Sequence, residues 1–391
     1  MSDLQRVGVA VVGLGGAVST TAVAGVELMK LGANGTEGLP LADVEELVPY
    51  TSLIFGGWDL DGDDLAKAAH VHRVLDDRQI EAAGSALAAI EPWPAAADPA
   101  FCRNAHGSNV LPVGPMRDRV ARISEDLAHF RTEHALDEIV VVNLASTERW
   151  PDLTVPALSN VEDFEKALDV NDTSITPGML YAYAAITNDC PYVNFTPSAS
   201  ADVPALLDLA AERGVPVAGK DGKTGQTMMK TVLAPAFRSR SLKVDGWYST
   251  NILGNRDGEI LDDADSLSSK LKTKGTVLDS ILGYPVEDHV VRIDYYRPRG
   301  DEKEAWDNID LVGFLGQRMQ IKVDFLCRDS VLAAPLVLEL VRLVAEAHRR
   351  GEGGAQEQLG YFFKAPVTQD GSVPEHALYR QEQILREWIE R

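Results

Sequence analysis

A few short runs in this chain combine residue types that bind phosphate or move protons. The first is Gly13-Leu14-Gly15-Gly16, with Ser19, Thr20 and Thr21 opening the segment that follows. Glycine lets a backbone approach a pyrophosphate, and a helix N-terminus offers free N–H donors and positive potential. The usual six-position fingerprint would place glycine at position 18, where Val18 stands. Nor does an acidic residue end the second strand about 20 residues on, so Asp59 is the nearest candidate for the ribose hydroxyls. A tight structural turn would use the same glycines, and the run alone supports either reading. The second run is Gly219-Lys220-Asp221-Gly222-Lys223-Thr224-Gly225-Gln226-Thr227. It lacks the ordered Gly-Lys-Ser/Thr ending of a P-loop, which disfavours a nucleoside triphosphatase. Its backbone N–H groups suit a single phosphate, although a polar surface loop has the same composition.

The third run, Leu267 to Lys274, puts Lys270 and Lys274 on one face if it is helical. Solvated surface lysines have that spacing too. In a cleft, two ammonium groups lower each other's pKa, which suits proton transfer near neutral pH. Three further residues stand singly. Asp257 lies in the turn Leu253-Gly254-Asn255-Arg256-Asp257-Gly258, where it can bond its own backbone. Asp329 sits where a helix N-cap is expected. Lys364 follows the aromatic run Tyr361-Phe362-Phe363, a setting in which a lysine is partly buried and needs a partner.

The elements that position these residues follow from the apolar pattern. Arg6 to Val12 reads as a buried parallel strand, followed by the glycine turn and a helix from about Ser19 to Leu31. Further strands are expected at Tyr50 to Phe55, Glu138 to Asn143, Pro191 to Phe195 and Val215 to Ala218, with a helix around Gly178 to Asn188. Strands alternating with helices indicate a doubly wound, Rossmann-like α/β sheet. Ala88 to Pro115, rich in Ala, Pro and Gly, reads as a long surface excursion. After Thr227 the pattern shifts to Val244–Ser249, Val286–Tyr296 and Arg318–Phe325, which read as an antiparallel-like sheet. An apolar helix then runs from Asp329 towards His348. The expected division is a Rossmann-like domain, 1–227 plus 329–391, with an inserted α+β domain, 228–328.

Composition narrows the partners. The chain has 391 residues, enough for two cores, and 37 basic against 59 acidic residues give a formal charge of −22. Such a surface repels nucleic acid and anionic lipid, and would repel a phosphorylated metabolite unless its site were locally basic. No membrane span and no signal peptide are evident. Cys102, Cys190 and Cys327 are scattered, forming neither a disulfide framework nor a metal-ligand pair, which fits a reducing cytoplasm.

Taken in order, the motifs resemble those of inositol-3-phosphate synthases of the archaeal and bacterial type. The matching runs are Gly-Leu-Gly-Gly…Thr-Thr, Phe-Gly-Gly-Trp-Asp, Gly-x-Asp-Gly-Lys-Thr-Gly-Gln-Thr and Leu-Gly-Asn-x-Asp-Gly. Ser-Lys-x-x-x-Lys, Gly-Asp-x-Lys, Asp-Ser-x-Leu-Ala-Ala-Pro-Leu and Phe-Phe-Lys-Ala-Pro complete the series. The likeness spans nearly the whole chain and is weakest from about Asp61 to Leu136.

The resemblance implies that tightly held NAD oxidises glucose 6-phosphate at C5, that an enolate closes the ring on C1, and that the C5 ketone is then reduced. It implies proton transfer and oxyanion stabilisation by Lys270, Lys303 and Lys364. Asp221, Asp257 and Asp329 would position lysines and nicotinamide. Lys274, Thr224, Gly225, Gln226 and Thr227 would hold the substrate phosphate. Gly13, Gly15, Gly16, Thr20, Thr21, Asp59, Asn143, Thr147 and Asp221 would contact the cofactor. It further implies a homotetramer, and it leaves open a divalent cation such as Mg²⁺, beside Asp257 and Asp329, or a monovalent one. Two departures stand out: Lys220 replaces a second Asp of many relatives, and Arg256 replaces Asn. Both add positive charge, consistent with tighter phosphate binding or with a carbocyclase acting on a modified substrate.

Overall fold

The structure is a computed structural model that describes residues 5–103, 105–254 and 277–391. Its larger sheet contains β1 (Val7–Val12), β2 (Leu53–Asp59), β3 (Trp93–Pro94), β4 (Glu138–Asn143), β5 (Tyr192–Asn194), β6 (Pro216–Gly219) and β11 (Gly354–Ala355). All pairings in it are parallel, in the order β3-β2-β1-β4-β5-β6-β11. The first six strands follow the order 3-2-1-4-5-6 of a doubly wound dinucleotide fold, whose ligand crevice opens between β1 and β4. Every residue of β1 and β4 is buried, as a parallel sheet covered on both faces requires.

The helices are α1 (Ala17–Lys30), α2 (Leu65–His72), α3 (Asp77–Ala88), α4 (Met116–Glu133), α5 (Val161–Val170), α6 (Pro177–Thr187) and α7 (Pro204–Arg213). After these come α8 (Gln226–Ser239), α9 (Asp329–Arg349) and α10 (Leu378–Ile389). Alternation along the strands divides them between the two faces. Val7, Val9, Val11, Val140 and Val142 pack with the apolar residues of α1, α9 and α10. Ala10, Val12, Ile139 and Val141 pack with α4, α6 and α7 on the other side. Helix α6 is buried along nearly its whole length and starts with Thr176 as N-cap and Pro177 in its first turn. Among the described residues no helix is long and apolar enough to cross a membrane.

The second sheet holds β7 (Lys243–Leu253), β8 (Asp288–Tyr295), β9 (Glu302–Val312) and β10 (Arg318–Arg328), ordered β10-β9-β7-β8. It departs from the sequence expectation twice. Strand β9 lies inside the sheet, where no strand was expected. Also, β7 pairs with β8 in parallel, so only the β9 pairings are antiparallel. One face covers α8 and residues 277–282 through Val244, Trp247, Ile309 and Leu311. Among the described residues nothing covers the other face, and Val290, Trp306 and Leu326 are exposed on it.

The stretch from Ala88 to Pro115 is not a mere surface excursion. Ala95 exchanges backbone bonds with Asn109 and Leu111, and Asn109 N–H donates to Leu60 O at 2.9 Å. Phe101 O accepts from Arg149 N at 2.7 Å, so the strap crosses from the end of β2 to the segment after β4. Small residues permit this approach: a Cβ on Gly107 would stand 2.0 Å from Leu60 O.

Gly57 sets the junction of β1 and β2. Its φ is +146°, and a Cβ there would lie 2.1 Å from Val11 O. Gly57→Ala is expected to lower stability by about 3 kcal/mol or more. Urea unfolding measures it, and an unchanged midpoint would contradict the close approach.

Candidate active site

A cavity of 570 Å³ lies at the carboxyl ends of β1, β2, β4, β5 and β6. At the β1 end, Gly13 N and Leu14 N both donate to Trp58 O, at 2.8 and 3.0 Å. Gly13 holds φ +89°, and Gly15 N donates to Asp59 Oδ2 at 2.8 Å. His72 Nε2 lies 2.8 Å from Gly15 O and steadies the same turn from α2. Helix α1 begins directly after it, with Gly16 as an N-cap that has no side chain to block its N–H groups.

At the other end, the loop after β6 is stitched to the segment after α9. Lys220 N donates to Ala365 O, Lys364 N to Asp221 O, and Lys223 N to Phe362 O, at 2.9, 2.7 and 2.8 Å. This backbone clamp brings Lys364 Nζ to 2.6 Å from Asp221 Oδ1. A second ion pair comes from sheet register. Lys303 pairs with Cys327 across β9 and β10, two residues before Asp329, and its Nζ lies 3.3 Å from Asp329 Oδ1. Thr224 Oγ1 donates to the same oxygen at 3.0 Å. Asp301 fixes the helix start, accepting from Ser330 Oγ at 2.7 Å and from Ser330 N at 3.3 Å. Both lysines, both aspartates and the glycine turn therefore face one cavity.

A family model described as myo-inositol-1-phosphate synthase matches residues 27–390. The chain is 40% identical to inositol-3-phosphate synthase 1 of Bacteroides thetaiotaomicron, over 98% of this chain and 95% of that one. The chain belongs to the myo-inositol-1-phosphate synthase family. Among solved structures, inositol-3-phosphate synthase from Caenorhabditis elegans has a TM-score of 0.92 at 26% identity, covering 99% of this chain and 86% of that one. A myo-inositol-1-phosphate synthase-related protein from Thermotoga maritima has a TM-score of 0.79 at 25% identity, covering 99% of both chains.

Of the residues expected at the site of this family, the cavity wall contains Gly13, Gly15, Gly16, Asp59, Thr147, Asp221, Thr224, Gly225, Gln226, Thr227, Lys303, Asp329 and Lys364. Three others do not line it. Thr20 Oγ1 and Thr21 Oγ1 donate back to carbonyls of their own helix start, Gly16 O at 3.0 Å and Ala17 O at 2.7 Å. Asn143 is buried beneath the wall, its Oδ1 accepting from Ala145 N at 3.0 Å. Ser19, not Thr20, lines the cavity, and its buried hydroxyl has no hydrogen-bond partner among the described residues. Gln226 presents backbone rather than amide: Asn251 Nδ2 donates to its Oε1 at 2.6 Å, and its Nε2 faces Thr250 O at 3.4 Å. Asp329 occupies the first turn of α9, and the N-cap is Arg328. Asp257, Lys270, Lys274 and Arg256 lie outside the described residues.

Lys220 corrects an expectation. Its ammonium pairs with Asp202 and lies 4.2 Å over the Trp150 ring, and it is absent from the cavity wall. It is held behind the wall by a carboxylate and an aromatic ring.

Glu148 was missed because its partners are distant in sequence. Its Oε1 accepts from Gly178 N at 2.9 Å, at the start of α6, while Ser198 Oγ accepts from its own N–H at 2.9 Å. Burial pushes the carboxyl from 4.5 up to about 7, and the bonds from Thr176 and Gly178 offset only part of that rise. Between those values the folded protein holds a proton that the unfolded chain has released. The associated stability is complete below about pH 4.5 and is lost as pH rises through 7. Glu148→Gln is expected to remove this slope, gaining roughly 3 kcal/mol on wild type between pH 4.5 and pH 8. Paired urea titrations across that range test it, and parallel curves would refute it.

Proposed function

We propose that this chain converts D-glucose 6-phosphate to 1D-myo-inositol 3-phosphate, with NAD held in the cavity and no net oxidation. The observation that carries this reading is the meeting of the Lys303–Asp329 and Lys364–Asp221 pairs with the glycine turn around one cavity. The family and its relatives supply the reaction class.

The residues present fit the dinucleotide. The turn at Gly13 to Gly16 leaves no Cβ between the backbone and the cavity, the start of α1 is uncapped, and the Ser19 hydroxyl lacks a partner among the described residues. Asp59 is placed beside that turn to take ribose hydroxyls. When bound there, NAD would supply the hydride acceptor for C5 oxidation and the hydride donor for the later reduction.

The protein's own task is to handle the protons and charge. Removing hydride from C5 requires the hydroxyl proton to leave, and the ketone so formed acidifies the neighbouring C6–H. Enolisation and attack on the C1 aldehyde each develop negative charge on oxygen. Fixed ammonium donors in a water-poor cavity stabilise that charge without reorganising. Lys303 and Lys364 suit this because their carboxylate partners hold each Nζ in place. Lys270 completes the set in this reading. The phosphate is assigned to the backbone N–H groups of Thr224, Gly225, Gln226 and Thr227 at the start of α8, with Lys274.

Among the described residues no three His, Cys, Asp or Glu side chains are grouped to hold a metal ion. The Asp329 carboxylate already accepts from Thr224 and Lys303. The other expected carboxylate, Asp257, lies outside the described residues, and no step is routed through a cation. With Lys220 turned away from the cavity, the carbocyclase with a different substrate loses one of its two supports.

The first experiment is incubation with glucose 6-phosphate and catalytic NAD, followed by phosphorus and proton NMR. The expected outcome is stoichiometric inositol 3-phosphate without net NADH. A different cyclitol phosphate would establish the related carbocyclase, and accumulating NADH would overturn the redox-neutral reading. Lys303→Ala and Lys364→Ala are each expected to lower kcat by roughly a hundred- to a thousand-fold while NAD still binds.

The same reading makes residues 228–328 the catalytic and oligomerisation insert of a homotetramer. The exposed apolar residues on the open face of its sheet, Trp306 and Leu326 among them, support that assignment. Sedimentation is expected to give a four-subunit particle, and Trp306→Glu a smaller one.

A further inference from the structure

The phosphate loop and the first turns of α8 carry two lysines that the reaction does not use. Lys223, between Gly222 and Thr224, is 4% exposed, and Lys230, one turn into α8, is 3% exposed. Lys223 donates to Gln381 on α10 and lies 5.8 Å from the Tyr361 ring centroid. Lys230 Nζ lies 2.7 Å from His289 Nε2 on β8 and 5.7 Å from the Trp247 ring centroid. Among the described residues neither forms an ion pair with a carboxylate. The nearby acid for Lys230, Asp307, is committed to Trp247 Nε1 and Ser249 Oγ at 2.7 and 2.6 Å. Facing Lys223 are His376 and Tyr361, with Glu375 behind them.

Burying a cation without a counter-charge is costly, and an apolar side chain of similar size would suit either position better. Burial pulls the Lys223 and Lys230 ammonium groups down to about 7 and about 8, the direction that exposes this cost. Neither residue lines the cavity, so neither is placed to touch a ligand. Both stand beside the backbone N–H groups assigned to the phosphate. Along the axis of α8, Lys230 is about 6 Å from Gln226.

We propose that Lys223 and Lys230 set the affinity for the substrate's phosphate from behind the binding loop, as buried cations whose missing counter-charge is the phosphate dianion. In the low dielectric between the phosphate loop, α8 and the second sheet, the attraction reaches past the first layer of contacts. In the free protein burial disfavours both ammonium charges, and a bound phosphate dianion favours them. The inference rests on the assignment of the phosphate to Thr224–Thr227.

The test uses the full chain with saturating NAD, inorganic phosphate as calorimetric probe, and glucose 6-phosphate as substrate. Lys223→Met and Lys230→Met are each expected to weaken phosphate binding about tenfold and to raise KM by a similar factor. NAD affinity should stay within about twofold, kcat should change less than KM, and the phosphate-free variants should melt no lower than wild type. Lys→Gln at each position serves where a Met variant fails to fold. Unchanged phosphate affinity in both variants overturns the proposal while leaving the phosphate site intact. Failure of wild type to bind phosphate overturns the site assignment itself, and the proposal with it. A large loss of melting temperature with unaltered phosphate affinity marks the lysines as structural and also overturns it.

Discussion

The ion pair between Asp221 and Lys364 depends on a backbone clamp that most of the site shares. Residues 219–223 run on from the carboxyl end of β6, and residues 362–367 follow the last strand of the same sheet. Their mutual N–H···O bonds satisfy two irregular segments that would otherwise be buried with unpaired polar groups. The clamp fixes where β6 hands over to the loop before α8, hence where α8 begins and where Thr224 meets Asp329. That contact ties the first sheet to the second, because Asp329 opens α9 while Lys303, its other partner, belongs to β9. Breaking the Asp221–Lys364 pair would remove a charge partner from a buried carboxylate.

Sheet topology supplies the other half of the site. In the order β3-β2-β1-β4-β5-β6-β11, consecutive connections leave β1 in opposite directions, and the crevice at their divergence is lined by the segments after β1 and β4. The glycines at 13 and 57 let β1 and β2 approach closely enough for Trp58 O to accept both turn N–H groups. The strap from Ala95 to Leu111 then crosses this crevice. Its alanines and Gly107 allow it to lie against the strand ends, where it forms part of the cavity wall and displaces water from it. Exclusion of water is what raises the value of every charge inside.

The glycine turn, the fully buried strands and the apolar helix from Asp329 were legible because their patterns are local: strand periodicity, glycine spacing and a run of core residues. What escaped was non-local. Strand β9 reads Glu-Lys-Glu-Ala-Trp-Asp-Asn-Ile-Asp-Leu-Val, and its outward residues are polar enough to mask the buried Ala305, Asp307, Ile309 and Leu311. Asp307 sits inside because Trp247 and Ser249 satisfy it, a fact no window around residue 307 contains. Lys220 looked like added charge for the phosphate, yet Asp202 and Trp150 draw it to the far side of the wall. Thr20 and Thr21 match the motif, but helix-start carbonyls take their hydroxyls first.

Net charge gives the lysines their division of labour. With a charge of −22, the long-range field opposes a phosphorylated substrate, so attraction must be generated locally and shielded from the surface. Surface lysines would do this poorly, since exposed charges are screened within about 10 Å at ordinary salt. Buried ones are not screened, but they differ by partner. Lys303 and Lys364 have carboxylates beside them, which keep their heads oriented and largely neutralise their reach beyond the cavity. Lys223 and Lys230 have an amide and an imidazole as partners instead of a carboxylate, and a nearby dianion would favour their charged forms. A paired lysine can exchange a proton with a substrate oxygen at contact while its carboxylate holds the geometry. An unpaired buried lysine is suited instead to attraction at a distance, and placing it behind the loop keeps it from competing for that proton.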